Sequence, residues 1–466
     1  MILFLLFLSG LTTSTPRSWQ AEATRLLGQA NLAQFQNQPE EAIQALRQLL
    51  ELQPWRTDLY EGIGKLQIET GNRDAAISAY QEAYHAKALD SEGVLRLAQL
   101  QSETGNSSQA RDLVGELLTS KELDDATFSQ VVVLLKKIAD PEEILARMDA
   151  WLEKDPTNAR ALYIKGVYLA PINSAQAVIA LEQAGRKDER VQASAARLLE
   201  SLDAAAQKET TGLAELEIGQ GLVEMGEWQA AEMAFQKAVD AQPDMADAWA
   251  FLAEAKQNQG KSAEMEIEHA LALAPGSNTV QALAAFYYRR LGKPEIALIY
   301  LHAAAAQEPD STYWQVELGK TLCELNDYQD ALPYFDRATE LEPKNAQNWV
   351  ELARFSLNYG IEPARLGLPA ARQAVLLAPK DPQALDILGA LFLTQNDLAS
   401  AERFLQQSLQ QDADNSEAQL HLGQVYLASG NLEAARPYLD EALRSSPETA
   451  VGRLAERLIR QYYPLQ

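Results

Sequence analysis

Small residues recur along the chain at a spacing of about 34 residues, and this period limits the folds that the chain can adopt. The unit Ser311–Asn345 shows the pattern completely. Its first half carries apolar residues at helical spacing up to Asn326, and its second half does so again up to Pro343. The unit is therefore predicted to be a helix, a turn and a second helix. Helices of this length are marginally stable alone, so each pair must bury its apolar stripe against the next pair.

Four positions of this unit are repeated in its neighbours: a small residue in the first helix, a loop residue that tolerates a left-handed backbone, an alanine in the second helix and a closing proline. In chain order the small residues are Ala285, Gly319, Ala353, Gly389 and Gly423, and the loop residues are Gly292, Asn326, Gly360, Asn396 and Gly430. The alanines are Ala297, Ala331, Ala401 and Ala435, and the closing prolines are Pro309, Pro343, Pro379 and Pro447. The pattern resembles the tetratricopeptide repeat (TPR) family. That resemblance implies an all-α fold, a right-handed α-solenoid of about twelve helix–turn–helix units. The unit from Ala346 departs from the pattern, because two extra residues near Glu362 and the substitution of Gly367 for alanine predict a wider turn.

The repeats divide the chain into five segments. These are a hydrophobic signal-like or tether segment with its linker (1–22), N-terminal repeats (23–124), degenerate helical repeats (125–211), a C-terminal array (212–449) and a capping helix with a tail (450–466). The pattern is weakest in the third segment, where we predict a kink or a boundary between two arrays. The last segment places apolar residues on one stripe and arginines opposite, which is typical of a helix that covers the end of a solenoid.

The chain begins with the apolar run Ile2–Leu8, which is far shorter than the roughly 20 residues that span a bilayer. It has about the minimum length of a signal-peptide core, but no Lys or Arg precedes it. Three interpretations remain open: a signal that has lost its basic part, an atypical export signal or membrane tether, and a hydrophobic helix packed on the solenoid end. We favour export or membrane association over a cytoplasmic location, with membrane contact only through this segment if it is not cleaved.

The chain is acidic, with a net charge of −25 and a pI near 4.6. This charge argues against a nucleic-acid partner, because neutralising phosphates needs a basic face. Solubility is its simplest explanation. The single cysteine, Cys323, excludes an internal disulfide and a multi-cysteine metal site.

Residues that carry catalysis are not gathered into any motif, so we predict no enzyme activity, no metal and no cofactor. The histidines fall in different repeats, at His85, His269, His302 and His421. A zinc site needs three or four convergent ligands. Gly219–Gly221 resembles part of a dinucleotide fingerprint but follows no strand, and we interpret Cys323 as a small packed thiol.

A candidate binding surface comes from positions 2, 5, 9, 12 and 13 of the first helices, which lie about 130° from the packing stripe. In the TPR family this face is the concave binding surface. Three successive residues at position 9 should align across adjacent helices, with two arginines and a tyrosine beside them. The predicted peptide-binding residues are Phe286, Arg289, Arg290, Tyr313, Lys320 and Arg354.

Two interpretations of these residues stay open. A cationic, aromatic-edged groove suits an extended peptide that carries carboxylates. The alternative is a solvated face with intramolecular ion pairs, in which Glu324 could neutralise Lys320. Relatives that bind chaperone tails place Lys and Asn at positions 5 and 9 of a first unit, where this chain has Leu27 and Asn31, so a chaperone C-terminus is not the expected ligand.

Two classes of function follow. The first is a non-enzymatic scaffold that binds a partner protein or an extended peptide in the groove. The second is an accessory subunit of an enzyme or of a secretion or cell-envelope assembly machine. A hidden catalytic site in the degenerate segment is the least favoured possibility, because residues 125–211 contain neither histidine nor cysteine.

Overall fold

The computed structural model describes residues 16–119, 123–447 and 449–463, and the apolar run Ile2–Leu8 lies outside them. Within these ranges every regular element is a helix. The helices are α1 Pro16–Phe35, α2 Pro39–Leu52, α3 Leu59–Glu69, α4 Arg73–His85, α5 Ser91–Glu103, α6 Ser107–Leu117, α7 Asp125–Ile138, α8 Pro141–Lys154, α9 Ala159–Leu169, α10 Ser174–Lys187, α11 Glu189–Ala206, α12 Thr211–Glu224, α13 Trp228–Ala241, α14 Ala246–Asn258, α15 Glu264–Leu273, α16 Asn278–Arg290, α17 Pro294–Gln307, α18 Thr312–Glu324, α19 Tyr328–Leu341, α20 Ala346–Tyr359, α21 Leu368–Leu377, α22 Pro382–Thr394, α23 Leu398–Gln411, α24 Ser416–Ala428, α25 Leu432–Ser445 and α26 Ala450–Tyr462. None of the described helices combines the length and apolar character needed to cross a membrane.

The helices form successive antiparallel pairs, as the period predicted. In the described ranges eleven helix pairs pack together, from α1–α2 to α9–α10 and from α14–α15 to α24–α25. Helix α11 packs against α10, and α26 follows the last pair. Helices α16, α18, α20, α22 and α24 begin 34, 34, 36 and 34 residues apart, which is the spacing of the repeated small residues from Ala285 to Gly423. Helix α1 begins at Pro16 and so includes residues that the sequence placed in the linker. The described chain is therefore an all-α solenoid.

Two repeated positions take the geometry that the pattern predicted. The loop residue has a positive φ in every unit from α16 to α25, with φ of 60° at Asn326 and 58° at Asn396. In the first helix, a Cβ added at Gly319 would lie 2.8 Å from Cε2 of Phe335 on the second helix. Glycine is therefore required here for the two helices to pack this closely.

A further repeated contact fixes the turn between successive pairs. The side chain at position 4 of a first helix donates a hydrogen bond to the backbone carbonyl six residues earlier, in the preceding turn. The bonds are Trp249 to Pro243 (2.8 Å), Gln281 to Pro275 (2.7 Å), Gln315 to Pro309 (3.3 Å), Trp349 to Pro343 (2.9 Å) and Gln419 to Ala413 (2.7 Å). Tryptophan and glutamine can both occupy this position because each has a side-chain N–H donor that reaches this carbonyl.

The turn predicted to be wide is a π-helical turn at Pro363–Gly367. It follows Glu362, whose φ is 45°. A Cβ added at Gly367 would lie 2.6 Å from Oγ of Ser356, which explains the glycine in place of the usual alanine.

The chain forms two compact units. Unit 1 contains the described residues up to Gln207 together with Glu217–Ala230, and unit 2 contains Lys208–Leu216 with the described residues from Ala231 onward. In unit 1, the turn between α12 and α13 binds back to α7. Glu227 accepts a hydrogen bond from Nζ of Lys136 at 2.7 Å, and Gln229 donates to the carbonyl of Ala139 at 2.9 Å. In unit 2, Ala455 of α26 is buried against Leu439, so α26 covers the apolar end of the last pair.

Candidate functional site

The predicted binding residues lie on three first helices of unit 2. Helix α16 carries Phe286, Arg289 and Arg290, helix α18 carries Tyr313 and Lys320, and helix α20 carries Arg354. We call the surface formed by positions 2, 5, 6, 9, 12 and 13 of α14, α16, α18, α20, α22 and α24 the first-helix face. Its most accessible aromatic group is Tyr313, with 51% of the residue exposed, whereas Phe286 is half-buried.

Arg290 is fixed by a bidentate ion pair with the preceding repeat. Its Nη1 donates to Oε2 of Glu254 at 2.7 Å and to Oε1 of Gln257 at 2.9 Å, and its Nη2 donates to Oε1 of Glu254. Only 9% of the Glu254 side chain is exposed. A buried carboxylate held by two parallel bonds keeps the guanidinium plane of Arg290 in one orientation.

Arg289 is fixed from the opposite side by two carboxylates of α18. Its Nη1 donates to Oε2 of Glu317 at 2.6 Å, and its Nη2 and Nε donate to Oε1 of Glu324 at 2.6 and 3.1 Å. Burial alone would lower the pKa of Arg289, but Glu324 and Glu317 raise it above its ordinary value. Arg289 is therefore a fixed cation, and its partner Glu324 is the carboxylate that the sequence had offered to Lys320.

The remaining predicted cations are paired in the same way along the face. Lys320 lies 3.1 Å from Oε1 of Glu351 on α20. Arg354 on α20 reaches past α22 to Oε2 of Glu417 on α24, at 3.0 Å.

A histidine and an aspartate extend this row of charges at its C-terminal end. Nδ1 of His421 on α24 lies 2.8 Å from Oδ1 of Asp386 on α22, whose side chain is 2% exposed. Burial alone would lower the pKa of His421, but the Asp386 carboxylate raises it above its ordinary value. Glu417 raises this pKa further, and Arg354 acts against it.

The first-helix face is consequently not cationic in sum. Its four Lys and Arg side chains each pair with a carboxylate of the same chain. The carboxylates of this face are Asp247, Glu254, Glu317, Glu324, Glu351, Asp386 and Glu417, which outnumber the Lys and Arg side chains. The alternative of intramolecular ion pairs therefore describes the geometry of these cations.

Sequence reasoning missed the carboxylates at position 6, Glu317 and Glu351. At 100° per residue, position 6 lies 60° from position 9 and on the same face. The available signal was the spacing, because each glutamate precedes the cation at position 9, Lys320 or Arg354, by three residues in successive repeats.

A cavity of about 310 Å³ opens where the predicted residues are most crowded. It is lined by Phe286, Arg289, Arg290 and Glu324, and we call it the α16 cavity. Tyr313 lies near it, since its hydroxyl interacts electrostatically with Glu317 and Arg289. The structure thus brings three of the six predicted residues together around one cavity with Tyr313 near it, whereas Lys320 and Arg354 continue the row of ion pairs away from it.

No cluster of metal-ligating side chains is found in the ranges that the structure describes. Cys323 is buried, and burial raises the pKa of its thiol to about 11. The thiol is therefore protonated at neutral pH and is a poor nucleophile. The imidazole of His269 packs edge-on against Trp249, with ring centroids 4.7 Å apart.

Comparison with known proteins gives family matches but no curated relative. Models described as tetratricopeptide repeat match residues 27–91, 216–277 and 283–356, and residues 392–458. No curated protein matches the chain.

Several solved structures are similar in outline. Yeast Tom70 shares 15% identity at a TM-score of 0.44, covering 95% of this chain and 96% of that one. Cut9, from the APC/C Cut9–Hcn1 hetero-tetramer, shares 15% identity at a TM-score of 0.45, with the same coverage. A TPR protein from Parabacteroides merdae shares 18% identity at a TM-score of 0.45, covering 53% of this chain and 98% of that one.

The fold and the matches agree. The family models match more than half of the chain, over segments that the structure shows as paired helices. The TPR fold is in general a scaffold for protein–protein interaction, and its members are in general not enzymes. The chain belongs to the tetratricopeptide repeat family.

Proposed function

We propose that this chain is a non-enzymatic scaffold that binds an extended peptide of a partner protein on the first-helix face of unit 2. The contact residues would be Phe286, Arg289, Arg290, Tyr313, Lys320 and Arg354. The observation that carries the proposal is the α16 cavity, an open site lined by an aromatic ring and by two guanidinium groups that ion pairs hold in place. Grooves of this kind bind peptides through pockets for individual side chains.

The ion pairs prepare this surface for binding. Arg289 and Arg290 are already held by Glu317, Glu324 and Glu254, so a ligand does not have to order two long side chains. Ordering such a side chain costs about 0.5–1.5 kcal/mol at an interface. Half-exposed Tyr313 adds an aromatic surface of the type that dominates binding energy in protein interfaces.

The charge balance of the face bears on the partner. A strongly acidic peptide would compete with carboxylates that already occupy the guanidinium groups of Arg289 and Arg290. A peptide that adds hydrogen bonds and apolar contacts without displacing those pairs keeps the existing bonds. The face therefore supports a neutral or mixed-charge peptide better than an acidic one.

The test is affinity capture with the full chain and two matched double variants. Phe286→Ala with Tyr313→Ala removes the aromatic groups of the proposed site. The control, Met265→Ala with Ile299→Ala, removes apolar side chains that are 78% and 66% exposed on the second helices α15 and α17. Captured proteins are compared by mass spectrometry, and the affinity of each is then measured with the three chains.

The proposal expects at least one partner whose Kd rises about 30-fold or more in the first variant, because hot-spot aromatic residues contribute about 2 kcal/mol or more. That partner should bind the control variant as tightly as the unaltered chain. Partners that bind both variants with unchanged affinity would contradict the proposed site.

A further inference from the structure

We infer that the α16 cavity receives an aromatic side chain with a hydrogen-bond donor, tyrosine or tryptophan, from the bound peptide. The inference rests on the proposed function and specifies its ligand. It follows from the charge around the cavity, from the groups that line it and from its size.

The charge around the cavity disfavours an ionic ligand. Two guanidinium groups, of Arg289 and Arg290, face the carboxylates of Glu254, Glu317 and Glu324 within hydrogen-bond distance. These carboxylates outnumber the guanidinium groups. An incoming carboxylate would lie beside Glu324, and an incoming ammonium or guanidinium group would lie beside Arg289 and Arg290. A neutral side chain meets neither repulsion.

The lining groups offer surfaces on which an aromatic ring can stack. The ion pairs hold the planar guanidinium groups of Arg289 and Arg290 in place, and Phe286, one helical turn earlier on α16, lines the same cavity. Guanidinium planes and aromatic rings are both favourable stacking partners for a ring. Phe286 is half-buried, so part of its ring is available to a ligand.

One carboxylate oxygen in the cavity is left with acceptor capacity. Both bonds from Arg289 to Glu324 go to Oε1, and no described residue donates to its Oε2. The Glu324 side chain is 40% exposed, so a ligand can approach this carboxylate from solvent. A tyrosine hydroxyl or an indole N–H can donate to this oxygen, whereas phenylalanine has no donor.

The cavity is large enough to hold one aromatic ring. Its volume of about 310 Å³ lies at the lower end of the range of roughly 300–1,000 Å³ found for ligand pockets. A single aromatic side chain is therefore a suitable occupant, with the rest of the peptide outside the cavity along the first-helix face.

The test is a saturation-transfer NMR titration of the full chain with four probes: the N-acetyl amides of tyrosine, phenylalanine, aspartate and lysine. The tyrosine probe should bind with a Kd of about 1 mM, which is ordinary for a ligand of this size. It should bind several-fold more tightly than the phenylalanine probe, and the aspartate and lysine probes should bind more weakly than either.

Three variants locate the binding. Phe286→Ala should raise the Kd of the tyrosine probe about fivefold or more. Glu324→Ala should remove the difference between the tyrosine and phenylalanine probes, because the acceptor is gone. Met265→Ala, on α15 and 78% exposed, should change nothing. Thermal melts followed by circular dichroism establish that each variant is folded.

Tighter binding of the aspartate or lysine probe would overturn the aromatic anchor. The inference would also be overturned if no probe binds, or if the tyrosine probe binds all three variants with the same Kd as the unaltered chain. None of these results decides the proposed peptide site. That site is tested separately, by measuring whether the affinity of a captured partner depends on Phe286 and Tyr313.

Discussion

Replacing Gly319 with alanine tests the packing rule on which the repeat depends. A Cβ at this position would lie 2.8 Å from Cε2 and 2.9 Å from Cζ of Phe335. Carbon atoms pack best about 3.5–4.0 Å apart. Phe335 is 2% exposed and stacks on Phe355, with centroids 4.9 Å apart, so its ring cannot turn aside without disturbing the next pair.

Two opposing effects set the magnitude. Overpacking of a filled core costs about 1–3 kcal/mol. Alanine in place of glycine inside a helix gains about 0.8–1 kcal/mol. We therefore expect Gly319→Ala to destabilise unit 2 by up to about 2 kcal/mol. Gly28 on α1 is the matched control, because no atom lies within 4 Å of an added Cβ there, and Gly28→Ala should show the whole helical gain.

The assay is urea unfolding followed by far-ultraviolet circular dichroism, with the free energy of unfolding taken from each transition. Gly319→Ala with Phe335→Leu is the decisive double variant, since the smaller side chain removes the ring that the new methyl group meets. The double variant should lose less stability than the sum of the two single changes. If Gly319→Ala stabilises the chain as much as Gly28→Ala does, the packing argument is refuted.

Three further predictions concern unit 2. The Asp386 carboxylate raises the pKa of His421 in the folded chain, so this pair stabilises the fold below a pH of about 6.5, and that stability is lost as the pH rises through the folded-state pKa. His421→Gln should remove this pH dependence of the unfolding free energy, measured in urea between about pH 5 and pH 8. A variant with the same pH profile as the unaltered chain would contradict the prediction. Trp349→Phe loses the hydrogen bond to the carbonyl of Pro343 and should cost about 1 kcal/mol in urea unfolding, whereas no loss would show that the turn does not need the donor. Gly430→Ala should lower the free energy of unfolding by about 1 kcal/mol, because the backbone φ of 77° at this position is strained for any residue with a Cβ. The added Cβ itself meets no atom within 4 Å, so backbone strain is the only cause. An unchanged thermal midpoint would contradict the prediction.

The repeating part of the fold could be predicted because each repeated residue has one local cause. Asn326 and Asn396 stand where the turn needs a left-handed backbone, and both adopt it. Pro343 follows the last residue of α19 by two positions, where a helix could not continue. Such signals depend only on the local chain, so they can be read without knowing which helices pack together.

The site could be predicted less completely, because its chemistry depends on contacts between repeats. The sequence placed Arg289, Lys320 and Arg354 on one face, and the structure places them there. Their partners could not be derived from the spacing alone. Arg354 bonds to Glu417 two repeats away, and Arg289 pairs with Glu324, the carboxylate that the spacing had offered to Lys320. Which rotamer each side chain adopts across a helix interface is decided by packing, and periodicity does not encode it.

The binding of Lys136 to Glu227 in unit 1 illustrates the same limit. The two residues lie in different repeats, separated by 91 positions, and neither belongs to a repeated position of the pattern. The sequence predicted irregular repeats between the two residues. The contact between Lys136 and Glu227, however, depends on how the intervening helices α9, α10 and α11 pack, and the repeat spacing does not give that packing.

Site-specific photo-crosslinking tests the proposed peptide site most directly. Tyr313 on the first-helix face and Ile299 on a second helix are 51% and 66% exposed, so a p-benzoylphenylalanine residue can replace either one at comparable accessibility. The full chain carrying each replacement is irradiated with the partner selected by capture, and the crosslinked peptides are sequenced by mass spectrometry. We expect a crosslink from position 313 to a single extended segment of the partner and none from position 299. A crosslink from position 299 with none from position 313 would contradict a peptide site on the first-helix face of unit 2.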